Sequence, residues 1–236
     1  MFYFDWTYVI LVIPAVLLAM WASANVNSTF RRYSTQYSRR GLTGAEAARR
    51  VLDANGLTQV RIEHISGNLT DHYDPKANVI RLSDSVYRNA STAAIGVACH
   101  EAGHAVQHAV GYGPIKLRNA IVPVTNIGSK LSMPLILLGL LLSAFDTKLY
   151  YLVYAGIICF GLCAVFQLVT LPTEFNASRR ALAAIESGNL LYDEELQGAR
   201  KTLRAAALTY VAALAVSLMQ LLRLVLLFGG SRRRSD

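Results

Sequence analysis

The chain has 236 residues, of which 53% are hydrophobic and 16% charged, against roughly 45–50% and about 25% in a soluble globular domain. That balance argues against a wholly soluble protein and against a disordered one. The 23 Lys and Arg outweigh the 15 Asp and Glu by +8. In an apolar chain without a nucleic-acid motif, such an excess marks the loops of a membrane protein, so a lipid bilayer and no nucleic acid is the expected partner. Three cysteines make no disulfide framework. Cys159 and Cys163 sit in an apolar run as packing residues, and Cys99 points about 100° around a helix from its neighbour His100.

Residues 6–24 form an uncharged apolar run long enough to cross a hydrocarbon core of about 30 Å. The basic residues follow it, at Arg31, Arg32, Arg39 and Arg40, and none precedes it, which fits an uncleaved anchor better than a signal peptide. Residues 25–120 are polar. Thr43-Gly-Ala-Glu46 reads as a capping box opening a helix that Gly56 stops. Residues 59–65 and 79–83 alternate like strands, with turn-rich sequence between them. From Ser91 the pattern is helical as far as Gly111. Residues 121–145 are a less clean span, kinked by Pro134, of which 131–145 is the lipid-facing part. With the short link 146–148 and the run 149–171 it forms a hairpin. A polar stretch at 172–204 precedes a last apolar run, 205–228, where Gln220 and Arg223 are placed to snorkel. The expected divisions are 1–24, 25–120, 121–171, 172–204 and 205–236. The fold class is an α+β membrane protein with about four transmembrane helices and a small domain of helices and short strands.

His100-Glu101-Ala102-Gly103-His104 is an H-E-x-x-H pattern. On a helix the two imidazoles share one face one turn apart, so both reach a single Zn²⁺. Glu101 then flanks the water that the metal acidifies, and serves as general base and acid. By itself the pattern also occurs by chance. A catalytic zinc needs a third protein ligand. His108 lies about 12 Å along the axis from His100 and is too far. A histidine six residues beyond His104 is absent, since Val110 stands there. Glu174, opening a helix after the hairpin, returns to the same membrane face and is the better candidate. A first-turn acidic residue favoured by the helix dipole is the plainer reading of it.

Together, HEAGH at 100–104, EFNASRRA at 174–181, DHYDPKANVIRLS at 71–83 and AAALTYVA at 205–212 resemble the bacterial YugP-type neutral zinc metallopeptidases, membrane proteins grouped with the gluzincins. The resemblance covers about residues 71–213. It implies a zincin-like domain with one Zn²⁺ per chain held by His100, His104 and Glu174, and Glu101 as the catalytic acid and base. Many gluzincins carry an Asp four residues after the ligand Glu; that position is Ser178 here, and Asn176 or Arg179 are alternatives for orienting a ligand histidine. The resemblance also implies that the strand Val79, Ile80, Arg81, Leu82, Ser83 offers its edge to an extended substrate, an internal strand being the alternative. His72, Tyr73, Arg179 and Tyr210 are candidates for stabilising an oxyanion.

Lys and Arg near the span ends number eleven on the side of the zinc ligands (residues 31, 32, 39, 40, 116, 118, 179, 180, 200, 201 and 204) and four on the other (Lys148, Arg232, Arg233, Arg234). This puts the zinc site on the cytoplasmic side of a bacterial cytoplasmic membrane, although the tail arginines pull the other way. The expected function is a membrane-bound zinc endopeptidase acting on proteins or peptides, membrane proteins among them. A zinc-containing scaffold or adaptor without turnover is the alternative, and Glu101 speaks against it. Proteolysis within the bilayer fits less well, because polar residues stud the HEAGH helix.

Overall fold

The computed structural model describes residues 5–229; Arg232, Arg233 and Arg234 lie outside them. The chain forms two compact units, each made of separated stretches. One comprises Ala22–Lys116 and Pro172–Thr209, the other Met1–Trp21, Leu117–Leu171 and Tyr210–Asp236.

The first, polar unit contains the second half of helix α1 (Ile13–Ser34), helix α2 (Gly44–Ala54), three short strands and helix α3 (Thr92–Ala109). The ends of two later helices complete it. The capping box forms as expected. Thr43 Oγ1 accepts from the Glu46 amide at 3.3 Å, and the Glu46 carboxylate accepts from the Thr43 amide at 2.8 Å, satisfying two amide donors that a helix start leaves unpaired. Gly56, at φ +71°, ends the segment in the left-handed region where glycine is unstrained. Ala47, Ala48, Val51 and Leu52 bury the opposite face of α2, which packs on α3.

The strands are β1 (Arg61–Ile65), β2 (His72–Asp74) and β3 (Val79–Ser83), in the order β1-β3-β2. β1 runs parallel to β3, pairing Arg61 with Val79, and β2 antiparallel to it, pairing Tyr73 with Ile80. This corrects the expectation that Val79, Ile80, Arg81, Leu82 and Ser83 form a free edge. β3 is the middle strand, paired along its length with β1 and at Val79, Ile80 and Arg81 with β2, and Val79, Ile80 and Leu82 are fully buried. Beyond the end of β2, the Asp71 carboxylate takes the Ser83 amide at 2.8 Å. β2 itself falls where turn-forming residues predominate in the sequence.

Ser91 caps α3 by accepting from the Ala94 amide at 3.2 Å. The helix presents Ile95, Ala98 and Ala102 to a core shared with Ala181, Ile185, Ala199 and Leu203. A Cβ added to Gly96 lies 3.2 Å from the Ala199 methyl, so two helices meet there almost backbone to backbone.

In the second unit, helix α4 (Gly113–Leu142) and the first part of helix α5 (Tyr151–Ser187) are linked by a 3₁₀ turn, Thr147–Tyr150. The Asp146 side chain caps that turn by accepting from the Lys148 amide at 2.8 Å. α4 begins eight residues before the expected span and runs on through Pro123 and Pro134. Small residues let the pair pack closely, a common device between helices in lipid: Ser132 donates to the Gly156 carbonyl at 2.9 Å. Helix α6 (Asp193–Phe228) ends in this unit, where the Phe228 carbonyl accepts from the Tyr150 hydroxyl at 3.1 Å. Arg223 does not snorkel alone as expected. Its Nε donates to Asp5 Oδ2 at 2.8 Å, and its guanidinium lies over the Tyr8 ring. An apolar surround leaves a cation to find a counter-charge.

Among the described residues, four helical stretches are long and apolar enough to cross a membrane: Tyr8–Ser34, Gly113–Leu142, Thr147–Ser187 and Asp193–Phe228. The fold is α+β, mostly helical, with one three-stranded sheet and several apolar helices.

Candidate metal centre

His100 and His104 stand one turn apart on α3 with ring centroids 4.7 Å apart. Both rings turn Nε2 inward. Glu174 Oε2 lies 3.2 Å from His100 Nε2 and 3.4 Å from His104 Nε2. Two donors held tetrahedrally at about 2.0–2.1 Å from one zinc lie about 3.4 Å apart. Separations of this size, with two imidazoles and one carboxylate as the donor set and all three ligand atoms within 4.8 Å of one another, suit Zn²⁺. The Glu174 side chain is 3% exposed.

Glu174 does not open a helix, which corrects the sequence expectation and removes the first-turn reading of its charge. It lies inside α5, which runs unbroken through Pro172. The missing amide of a proline costs one intrahelical bond, and packing on both sides of it outweighs that loss. Contact with α3 sets the depth of Glu174. A Cβ on Gly103 falls 2.7 Å from the Ala177 carbonyl oxygen, so only glycine at 103 lets the two helices come this close.

Each imidazole is held from behind. His104 Nδ1 meets Gln107 Oε1 at 3.0 Å, and Gln107 Nε2 donates to the Thr173 carbonyl at 2.8 Å and to Asn176 Oδ1 at 2.9 Å. Those two acceptors orient the amide so that its oxygen faces His104. His104 must then carry its proton on Nδ1, which leaves the Nε2 lone pair pointing inward. Asn176 Oδ1 also accepts from Arg180 Nε at 2.8 Å. His100 Nδ1 lies 3.1 Å from Oγ of Ser178, the residue four positions after Glu174. Among the protein groups alone, burial opposes charging of His104, but a hydrogen bond to Glu174 and its charge outweigh that and raise the pKa, with smaller help from Glu101 and Gln107; the Nε2 proton of that charged form is the one a metal ion displaces. Gln107 is fully buried and was not singled out from the sequence. Its signal is a glutamine three residues after a candidate ligand on the same helical face.

Glu101 is 8% exposed and adjoins His100 in sequence. Cys99 is fully buried, and burial pushes its thiol well above the ordinary range, consistent with a packing residue. His108 is exposed on α3, edge-on to Tyr73. The oxyanion candidates are scattered. The Tyr73 hydroxyl donates to Asn78 at 3.2 Å, His72 Nδ1 sits 2.9 Å from the Thr70 carbonyl, and the Arg179 side chain is exposed. Tyr210 belongs to the apolar unit.

Residues 8–229 match the family described as "Putative neutral zinc metallopeptidase". The "Putative membrane protease YugP" of Bacillus subtilis (strain 168) is 48% identical over 225 residues, covering 95% of this chain and 98% of that protein. No solved structure matches. A family match over nearly the whole length and a relative this similar lead to one conclusion: the chain belongs to that zinc metallopeptidase family.

Proposed function

We propose that the protein is a membrane-bound zinc endopeptidase in which His100, His104 and Glu174 hold one Zn²⁺ and Glu101 is the general base and acid. The observation that carries this reading is the convergence of both Nε2 atoms on one buried carboxylate oxygen, each imidazole being fixed from behind by Gln107 or Ser178. Bound zinc supplies a Lewis acid, acidifying water and polarising the scissile carbonyl. The Glu101 carboxylate takes the proton from the attacking water. As the new C–O bond forms and the C–N bond breaks, it passes that proton to the departing amine nitrogen, so one water is consumed per peptide bond. The larger number of positive charges flanking the spans beside the ligand residues supports a metal centre on the cytoplasmic side, with protein or peptide substrates reaching it there.

Two variants of the purified full chain test this. His104→Ala is expected to lose the metal, and full zinc retention overturns the ligand assignment. Glu101→Gln is expected to keep zinc while hydrolysis of an unfolded protein substrate falls by about two orders of magnitude or more. Unchanged turnover assigns the base elsewhere, and no chelator-sensitive hydrolysis by the parent chain favours a scaffold.

A further inference from the structure

The polar unit carries a second cluster of charge that the metal centre does not use. α1 and α6 border a cavity of about 320 Å³ whose lining includes Asn25, Arg32, Tyr33, Lys201, Arg204 and Leu208. Three cations line it and no acidic residue does. Among the described residues, none of the three forms an ion pair with a carboxylate. Tyr33 gathers two of them, with the Arg32 guanidinium 5.7 Å and the Lys201 ammonium 6.0 Å from its ring centre. Unneutralised cations held together on a folded surface repel one another, and an anion relieves that repulsion.

Position along the two helices says which anion. The apolar run of α1 ends at Ala24, one residue before Asn25, and that of α6 begins at Ala205, one residue after Arg204. At 1.5 Å per residue, Lys201 stands about 6 Å and Arg204 about 1.5 Å before the α6 run, with side chains that lean toward the α6 N-terminus and hence away from that run. Arg32 stands about 12 Å past the α1 run, with a side chain that leans back toward the helix N-terminus and hence toward that run. A bilayer's polar layer is about 5–8 Å deep on each side, which is the depth these heads reach. The lining is graded in the same direction along α6, from Lys201 and Arg204 to Ala205 and Leu208. A phosphate ester with an acyl chain below it matches that grading; a free phosphate matches only its upper half.

We infer that the cavity between α1 and α6 is a binding site for the phosphate headgroup of an anionic phospholipid, with Arg32, Lys201 and Arg204 on the phosphate and Leu208 against the start of an acyl chain. Such a lipid ties the polar unit to the leaflet at a fixed depth. The inference rests on the apolar helices and not on the assignment of the metal ligands, so the two fail independently.

Calorimetric titration of the detergent-solubilised full chain with short-chain phosphatidylglycerol, short-chain phosphatidylcholine and inorganic phosphate tests it. We expect one phosphatidylglycerol per chain, bound at least ten-fold more tightly than either of the others. A basic residue near a lipid surface is worth about five-fold in affinity, so Arg32→Gln with Lys201→Gln should weaken binding about 25-fold. The control removes the same charge at the same depth: Arg31→Gln with Arg200→Gln, each one residue away and turned about 100° from the cavity. It should stay within two-fold of the parent. Equal losses in the two doubles mean diffuse attraction and overturn the site. Inorganic phosphate binding as tightly as phosphatidylglycerol overturns the lipid assignment. All four side chains are solvent-facing or half-buried, and an unchanged thermal midpoint certifies each fold.

Discussion

Gln107 has no role in the chemistry proposed above, yet it decides which nitrogen of His104 is free. Its amide is anchored by the Thr173 carbonyl and Asn176, so Gln107→Leu leaves the Nδ1 proton of His104 without an acceptor and the ring without a stop. The expected result is zinc affinity ten- to a hundred-fold weaker, read by competition with a chelator of known affinity, with α3 still folded. Ser178→Ala removes the corresponding support from His100 and should weaken the metal less, because a hydroxyl is a poorer acceptor than the polarised network behind His104. The two histidines were legible as a pair from their spacing alone. Gln107 was not, since a lone glutamine on a buried helix face looks like any tolerated polar residue until its partners from α5 are known.

Helices carry the next level of the argument. α3 and α5 touch where Gly103 faces the Ala177 carbonyl, three residues from Glu174. Gly103→Ala forces a methyl into that contact, and overpacking of this kind costs about 1–3 kcal/mol. A lower thermal midpoint is therefore expected together with weaker zinc binding, since the helix that carries Glu174 has to move. The exposed cap predicts a contrasting case: Thr43→Ala should cost about 1 kcal/mol and leave zinc affinity unchanged. The Thr43 cap was readable locally, because a capping box depends on residues three positions apart. The continuity of α5 was not. Pro172 followed by polar residues looks like a helix start, and only burial of Thr173, Glu174, Ala177 and Ala181 makes it a helix interior. Strand order was hidden for a similar reason. The sequence 79–83 specifies a buried strand, while its central place comes from β1 and β2, two segments on the same side of it in the chain.

At the scale of the molecule, four apolar stretches were visible from hydropathy and length, and the described residues form four helices that meet both measures. The proposed sidedness follows from charge counting and has a direct check. With the three native cysteines replaced, single cysteines at Asn78, Ser187 and Thr147 are exposed to a membrane-impermeant thiol reagent in intact cells. Labelling is expected at Thr147 alone until the membrane is opened. Asn78 and Ser187 on opposite faces would exclude Glu174 as a partner of His100 and His104.

The interleaving of the two units also sets an order of events during synthesis. The stretch Leu117–Leu171 separates the two parts of the polar unit. A ribosome adding about 5–20 residues per second takes roughly 4–14 s to pass from His104 to Glu174. Throughout that interval α3 lacks the carboxylate for its histidines and also the core partners Ala181, Ile185, Ala199 and Leu203. A nascent chain in this condition has no closed metal site with which to cut its neighbours. On the proposed function, chain order alone then withholds activity from newly made and half-inserted copies until the last part of the polar unit emerges.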